Sequence, residues 1–306
     1  MYLGIDVGGT TIKFGVVTRE GEIVFTERYD TLENTKKSAD FIKLLIDVSK
    51  KIQEKYTVEG IGIGMPGMLS LNRHVLMEAA NLPTLNGTNI YQPLKDAFPN
   101  LVISLENDAN CAALGELYFG GHNLDNFTLM TLGTGVGGGV IIHRKLFIGA
   151  KGNAGEIGKI PVGPDRNKNI EDYVGQRNLV NYVLLELNKP ENANSSLKNE
   201  DEITVEKVYN AAKSGDKFAL SVFDFVGELI GEAMVSIIHL YDVSQVIIGG
   251  GVGKSFELFY DAAIKKATSL LTPYYIQDMQ LLPAGKNADT GLIGAAGLVL
   301  NKLENL

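Results

Sequence analysis

Residues 1–17 read MYLGIDVGGTTIKFGVV, and the order of residue types in this stretch decides the fold class. Residues 2–7 (YLGIDV) and 12–17 (IKFGVV) have strand chemistry, and Gly8-Gly9-Thr10 between them supplies a tight turn. The glycines therefore lie in a hairpin, and no helix follows them. At 127–143 the layout returns as FTLMTL, GTGVGGG and VIIH, again a strand, a glycine turn and a strand. The chain reads as internally duplicated.

Outward from the hairpins, Phe41, Leu44, Leu45, Val48 and Ile52 fall at helical spacing within residues 40–56. VEGIGIGMPG (58–67) is a short strand ending in a glycine loop, and LVISLENDAN (101–110) is a strand running into the helix ANCAALGELYFG. Two helical stretches between 205 and 241 lead into SQVIIGGGVGKS, a strand with a third glycine cluster. ADTGLIGAAGLVLNKL (288–303) predicts a small-residue-rich helix able to pack closely on an earlier element. The polar stretches 163–170 and 187–201 carry turn formers with little periodicity and read as surface loops.

A chain of 306 residues suits two α/β domains. Its 45% hydrophobic and 21% charged residues exclude a disordered, collagenous or coiled-coil chain. Lys plus Arg number 28 against 36 Asp plus Glu, a net charge of -8, so the basic footprint of a nucleic-acid or anionic-membrane partner is missing. Cys111 is the only cysteine, which rules out an internal disulfide and a cysteine cluster for zinc. No basic-then-apolar leader opens the chain and no apolar run approaches the roughly 20 residues that span a bilayer, so a cytoplasmic protein is expected.

Glycine lets backbone N–H groups approach a phosphate with no side chain in the way. Each of the three clusters, Gly8-Gly9-Thr10, 133–139 and 249–253, reads equally as a plain turn when taken alone. Together they favour phosphate binding. GGVGKS resembles the end of a Walker A loop, but the position five residues before Gly253 is Ile248 where that loop needs glycine. A dinucleotide fingerprint needs glycines that open a helix, whereas Gly8-Gly9 leads into a strand. A hairpin-borne phosphate loop remains, with Asp6 at the strand end. Asp108 is a candidate catalytic carboxylate, or a helix N-cap that Asn107 could equally supply.

IDVGGTTIKFGVV, ENDANCAALGE, TLGTGVGGGVI, GNAGEIG and VIIGGGVG occur in the order seen in ROK sugar kinases and repressors, within the actin-like ATPase superfamily, and the chain resembles that family over nearly its whole length. The resemblance implies an α/β fold of two ribonuclease-H-like domains, 1–118 plus 290–306 and 119–289, with ATP and sugar meeting in the cleft between them. By the same resemblance, Asp108 accepts the proton of the sugar hydroxyl and Asn107 binds a sugar hydroxyl. Asp6 lies near metal and phosphates, with donors from Gly8, Gly9 and Thr10. Lys13 either helps neutralise phosphate or is an exposed hairpin lysine. Gly133, Thr134 and Gly135 meet the other side of the phosphate chain, and Gly250 and Gly251 flank the adenosine. Glu156, Glu171 and Asn81 are the implied sugar contacts, and Gly67 in GMPG lets the sugar approach the backbone.

Most ROK proteins follow AGEIG with a zinc-binding histidine and supply further ligands from a cysteine cluster. Here the histidine position holds Lys159 and the cysteine segment is GPDRNKN, so zinc is not expected and no protein-only metal site is read. The implied cofactors are ATP and Mg²⁺, the partner is a small-molecule sugar, and a homodimer is expected from family members. The resulting reading is a kinase acting on the primary (C6) hydroxyl of a hexose-type sugar. A β-glucoside or N-acetylmannosamine kinase is the near alternative. A sugar-responsive repressor is a more distant one, since strand chemistry from Tyr2 leaves no helix-turn-helix ahead of the kinase-like part.

Overall fold

A computed structural model of the chain describes residues 1–165, 167–285 and 289–304. The chain forms two compact units, one of residues 1–125, 139–154 and 285–306, the other of residues 126–138 and 155–284.

The first unit contains β1 (Tyr2–Val7), β2 (Thr11–Val17), β3 (Ile23–Asp30), β4 (Gly60–Met65), the short β5 (Met68–Leu69), β6 (Val75–Glu78) and β7 (Thr88–Asn89), and β8 (Val102–Asn107). Its main sheet has the order β3-β2-β1-β4-β8. β2 runs antiparallel to β1, while β4 and β8 run parallel. β1 and β4 are buried almost throughout, as expected of parallel strands covered on both faces, whereas IVFTERYD of β3 alternates half-buried and exposed positions at an edge. β5, β6 and β7 form a separate antiparallel sheet.

The second sheet contains β9 (Phe127–Leu132), β10 (Val136–Ile142), β11 (Lys145–Leu146), β12 (Gln245–Gly249) and β13 (Gln280–Pro283), in the order β11-β10-β9-β12-β13. Strand for strand it repeats the first, with β12 parallel to both β9 and β13. The duplication read from the glycine hairpins is thus a duplication of sheet topology. In the second unit the 25-residue helix Lys217–Tyr241 lies on Phe256–Leu270, and Gly231 faces the Ala263 carbonyl, which a Cβ would approach to 2.6 Å.

Smaller features differ from expectation for local reasons. The helix expected at 40–56 spans Ser38–Gln53, burying Phe41, Leu45, Val48 and Ile52, while Tyr56 lies beyond its end with its ring 5.6 Å from that of Phe25. The 187–201 stretch holds two single-turn helices, Pro190–Asn192 and Ser196–Asn199, because Leu197 is buried and Ser195 caps the second. Of the other expected loop, Arg166 lies outside the described residues. Among the described residues no helix is long and apolar enough to cross a membrane.

The small-residue C-terminal helix, Thr290–Glu304, lies against β1, β4 and the Asp108–Phe119 helix of the same unit. A Cβ on Gly4 would strike the Leu292 carbonyl, one on Gly62 the Ala295 carbonyl, and one on Gly294 the Cys111 carbonyl. These are backbone-to-backbone contacts, which no rotamer change relieves. Gly62→Val is therefore expected to destabilise the protein by at least the ~1–3 kcal/mol typical of overpacking, measured by urea denaturation. An unchanged midpoint would show that the helix is not seated this tightly.

Candidate active site

In the parallel part of the first sheet, Asp6 pairs with Gly64 and Gly64 with Glu106, so three strands end in one row. The carboxyl ends of parallel strands are where open α/β sheets place ligands. The expected residues of this unit gather here. Asp6 is the penultimate residue of β1, Gly8-Gly9-Thr10 form the hairpin turn, Asn107 ends β8 and Asp108 follows it. Gly67 follows β4 at φ 93°. Asn81 is exposed on the turn before Pro83–Leu85, with no hydrogen bond joining it to this group.

Lys13 is neither an exposed hairpin lysine nor a free cation. Its Nζ donates to Asp289 Oδ1 and Oδ2 at 3.0 and 3.2 Å and lies 3.7 Å from Asp6 Oδ2. Two carboxylates thus share one ammonium. Burial pushes the Asp6 carboxyl above the usual carboxylate range, opposed by Lys13 and reinforced by Asp289. The Asp6 carboxylate packs against the backbone of Gly291, where a Cβ would lie 2.8 Å from Asp6 Cγ and Oδ2 and so collide. Among the described residues no group of three His, Cys, Asp or Glu side chains is arranged to hold a metal ion. Two carboxylates bridged by one ammonium suit Mg²⁺ carried by nucleotide phosphates and reached through water.

Asn107, not Asp108, caps the helix: its Oδ1 accepts from Ala109 N at 2.9 Å and Asn110 N at 3.3 Å. Its Nδ2 donates to the Gly67 carbonyl at 3.0 Å, which joins two of the expected sugar contacts. The acceptor of the amide is occupied, so Asn107 has donor capacity for a ligand and no acceptor to spare. Asp108, the first helical residue, is exposed, with Oδ1 2.9 Å from Ala109 N. Beneath them lies Glu106, which sequence reading passed over. It accepts from Asn107 N, Asn110 Nδ2 and Arg73 Nε.

In the second unit, Gly133-Thr134-Gly135 form the β9–β10 turn, closed by Gly133 N donating to the Gly135 carbonyl at 2.9 Å. Glu171 braces this turn: its Oε2 accepts from Val136 N at 2.9 Å and its Oε1 from Lys159 Nζ at 2.8 Å, which raises the Lys159 pKa. A Cβ on Gly135 would collide with the Glu171 carboxylate. Glu156 is exposed immediately before the Ile157–Lys159 turn. Gly249 pairs with Thr131, and Gly250, at φ 86°, turns the chain so close to the Leu132 carbonyl that no side chain fits. Beside Gly251 opens a cavity of about 630 Å³, lined among others by Gln176, Thr204, Glu206, Tyr209 and Lys254.

A family model described as ROK family matches residues 2–302. The chain belongs to the ROK family. It is 38% identical to a candidate sugar kinase from Cytophaga hutchinsonii, whose crystal structure superposes with a TM-score of 0.92 over 98% of this chain and 99% of that one. A ROK family glucokinase from Streptomyces griseus, solved with glucose and AMPPNP, is 32% identical, with a TM-score of 0.79 over 98% and 99% of the two chains. The glucokinase of Thermotoga maritima is 29% identical over 98% of both chains. The α/β fold with two ribonuclease-H-like sheets is the fold of these ROK relatives within the actin-like ATPases.

The state of Asp6 gives a pH-dependent expectation. Its native pKa is raised, so ionised Asp6 costs free energy relative to the unfolded chain above the native pKa, and the cost vanishes as pH falls through the native and then the unfolded value. Asp6→Asn should therefore melt at or above the wild-type temperature at pH 7, with the difference shrinking toward about pH 4. A variant that melts below wild type at pH 7 would show that pairing with Lys13 outweighs burial.

Proposed function

We propose that the chain is an ATP-dependent sugar kinase that transfers the γ-phosphoryl group to the primary C6 hydroxyl of a hexose. The observation that carries this reading is the grouping in one unit of an exposed Asp108, the Asn107–Gly67 pair and the Asp6–Lys13–Asp289 set, at the carboxyl ends of one row of parallel strands. Phosphoryl transfer to an alcohol needs an aligned acceptor oxygen, an acceptor for its proton, and charge or donors around the phosphates. Asp108 takes the proton. Asn107 donates to a sugar hydroxyl with the N–H that Gly67 does not use, and the carbonyl of Gly67 stays fixed beside it.

Backbone N–H groups around Gly8, Gly9 and Thr10, and around Gly133, Thr134 and Gly135, are the phosphate donors in this reading, with Gly250 and Gly251 beside the adenosine. The cavity next to Gly251 is large enough for a nucleobase, and Tyr209 is among the residues that line it. Magnesium, when bound with the nucleotide, supplies charge neutralisation on the phosphates. Asp6 and Asp289 would hold it through water, and Lys13 keeps the two carboxylates from repelling one another.

Glu156, Glu171, Asn81 and Gly67 are proposed to recognise the remaining sugar hydroxyls. Each Glu171 oxygen already accepts once, from Val136 N and from Lys159 Nζ, and keeps a further lone pair for a sugar hydroxyl, while the Lys159 contact, with the lysine 60% exposed, is the cheaper one to give up. With Lys159 where most ROK proteins have a zinc-binding histidine, recognition proceeds without zinc. Kinases for a β-glucoside or N-acetylmannosamine would use the same catalytic group, and Lys159 is the residue on which that choice turns.

Two experiments test the reading. Asp108→Asn should lower kcat by at least about 10²-fold with a much smaller change in KM, as loss of a general base does, and near-normal turnover would remove Asp108 from the mechanism. Gly9→Val is the cleaner probe of phosphate binding, because nothing lies within 4 Å of a Cβ at Gly9, whereas a side chain at Gly135 would also displace Glu171. By calorimetry Gly9→Val should weaken ATP binding and leave sugar binding unchanged. Unaltered ATP affinity would end the phosphate-loop assignment.

A further inference from the structure

Arg73 joins three segments of the first unit. It lies in the turn between β5 and β6 at φ 60°, the left-handed region that a non-glycine residue enters at a cost. Its Nε donates to Glu106 Oε2 at 2.8 Å, and its Nη2 donates to the carbonyl of Gly152. Gly152 sits at φ 87°, and a Cβ on it would come within 2.7 Å of Arg73 Nη1, so glycine makes room for the guanidinium. The other Glu106 oxygen, Oε1, accepts from Asn107 N at 2.8 Å and Asn110 Nδ2 at 3.1 Å. The side chains of the ion pair are only 14% and 6% exposed.

Stability does not account for this arrangement. A buried ion pair is often matched or bettered by apolar residues of similar size. This one also leaves Arg73 Nη1 and Asn110 Oδ1 buried without hydrogen-bond partners, a further cost, and it needs a strained turn to reach its place. What it achieves is geometric. The backbone at Asn107, the side chain of Asn110 one turn into the helix, and the loop at Gly152 are all tied to one charge pair, and Asp108 lies between the first two.

We propose that Arg73 is a positioning residue which, through Glu106, fixes Asn107 and Asp108 so that the acceptor hydroxyl is aligned for transfer. The proposal rests on the reading of Asp108 as the proton acceptor. Glu106 does not touch substrate. It sets the angle at which β8 passes into the helix, and Arg73 holds Glu106 against the Gly152 loop.

An uncharged replacement separates positioning from fold maintenance. Arg73→Met leaves a lone buried carboxylate and should lower both Tm and kcat. Adding Glu106→Gln removes that charge and should return most of the Tm, while kcat stays at least about tenfold below wild type, because small displacements of a reacting group cost that much or more. KM for ATP should move by less than about twofold, since the nucleotide donors lie elsewhere. Placed in an Asp108→Asn background, the double change should lower kcat by a clearly smaller factor than in the wild type, since only Asn107 is left to be positioned. If Arg73→Met alone does not fold, the double variant carries the test. Recovery of wild-type kcat together with Tm would overturn the proposal, as would an equal loss in the Asp108→Asn background. Near-normal turnover of Asp108→Asn alone would overturn the base assignment and this proposal with it, and is told apart because neither Arg73 nor Glu106 is changed.

Discussion

The last helix of the first unit can lie against β1 and β4 only because Gly4 and Gly62 present no side chains to it and Gly294 presents none to the Asp108–Phe119 helix. This close approach has a chemical consequence. It brings Asp289, one residue before the helix, onto the ammonium of Lys13, and Gly291 beside the carboxylate of Asp6. A larger residue at any of these seats would move the helix and separate Lys13 from Asp289, which stand 276 positions apart in sequence. The chain's 35 glycines therefore serve two purposes that the sequence alone presents as one. Some glycines allow backbones to touch, and others leave open space.

The difference is visible residue by residue. Cβ atoms on Gly9, Gly133 and Gly251 would meet nothing within 4 Å, so at these three turns the missing side chain is not needed for packing. All three lie in the clusters read as phosphate loops. Gly250, by contrast, is required by its positive φ and by the Leu132 carbonyl, and Gly135 by the carboxylate of Glu171. Substitutions at the first set leave the packing untouched, and those at the second disturb the fold.

Local features of the sequence were legible because local physics makes them. The hairpin at 2–17 and its repeat at 127–143 read as turns between strands, and that repetition gave the common topology of the two sheets. The helix that follows Asn107 was legible too, although the sequence left open which of Asn107 and Asp108 would cap it. The hydrogen bonds of Asn107 settle that point and leave Asp108 exposed at the helix start. Arg73 with Glu106, Lys13 with Asp289, and Glu171 with Val136 were not legible, for they join residues 33, 276 and 35 positions apart through sheet topology and carry no periodicity. Glu171 shows the limit best. The family resemblance implied a sugar ligand, and only the folded chain shows each Glu171 oxygen already accepting from the protein.

The central claim, that phosphate from ATP is placed on the primary hydroxyl of a hexose, is tested most directly by identifying the product. Purified protein incubated with ATP, Mg²⁺ and glucose should yield a sugar phosphate whose phosphorus correlates with the two C6 methylene protons in a ³¹P–¹H NMR experiment. Correlation with the anomeric proton, or release of inorganic phosphate with no sugar phosphate from glucose or from a panel of related hexoses, would contradict the account.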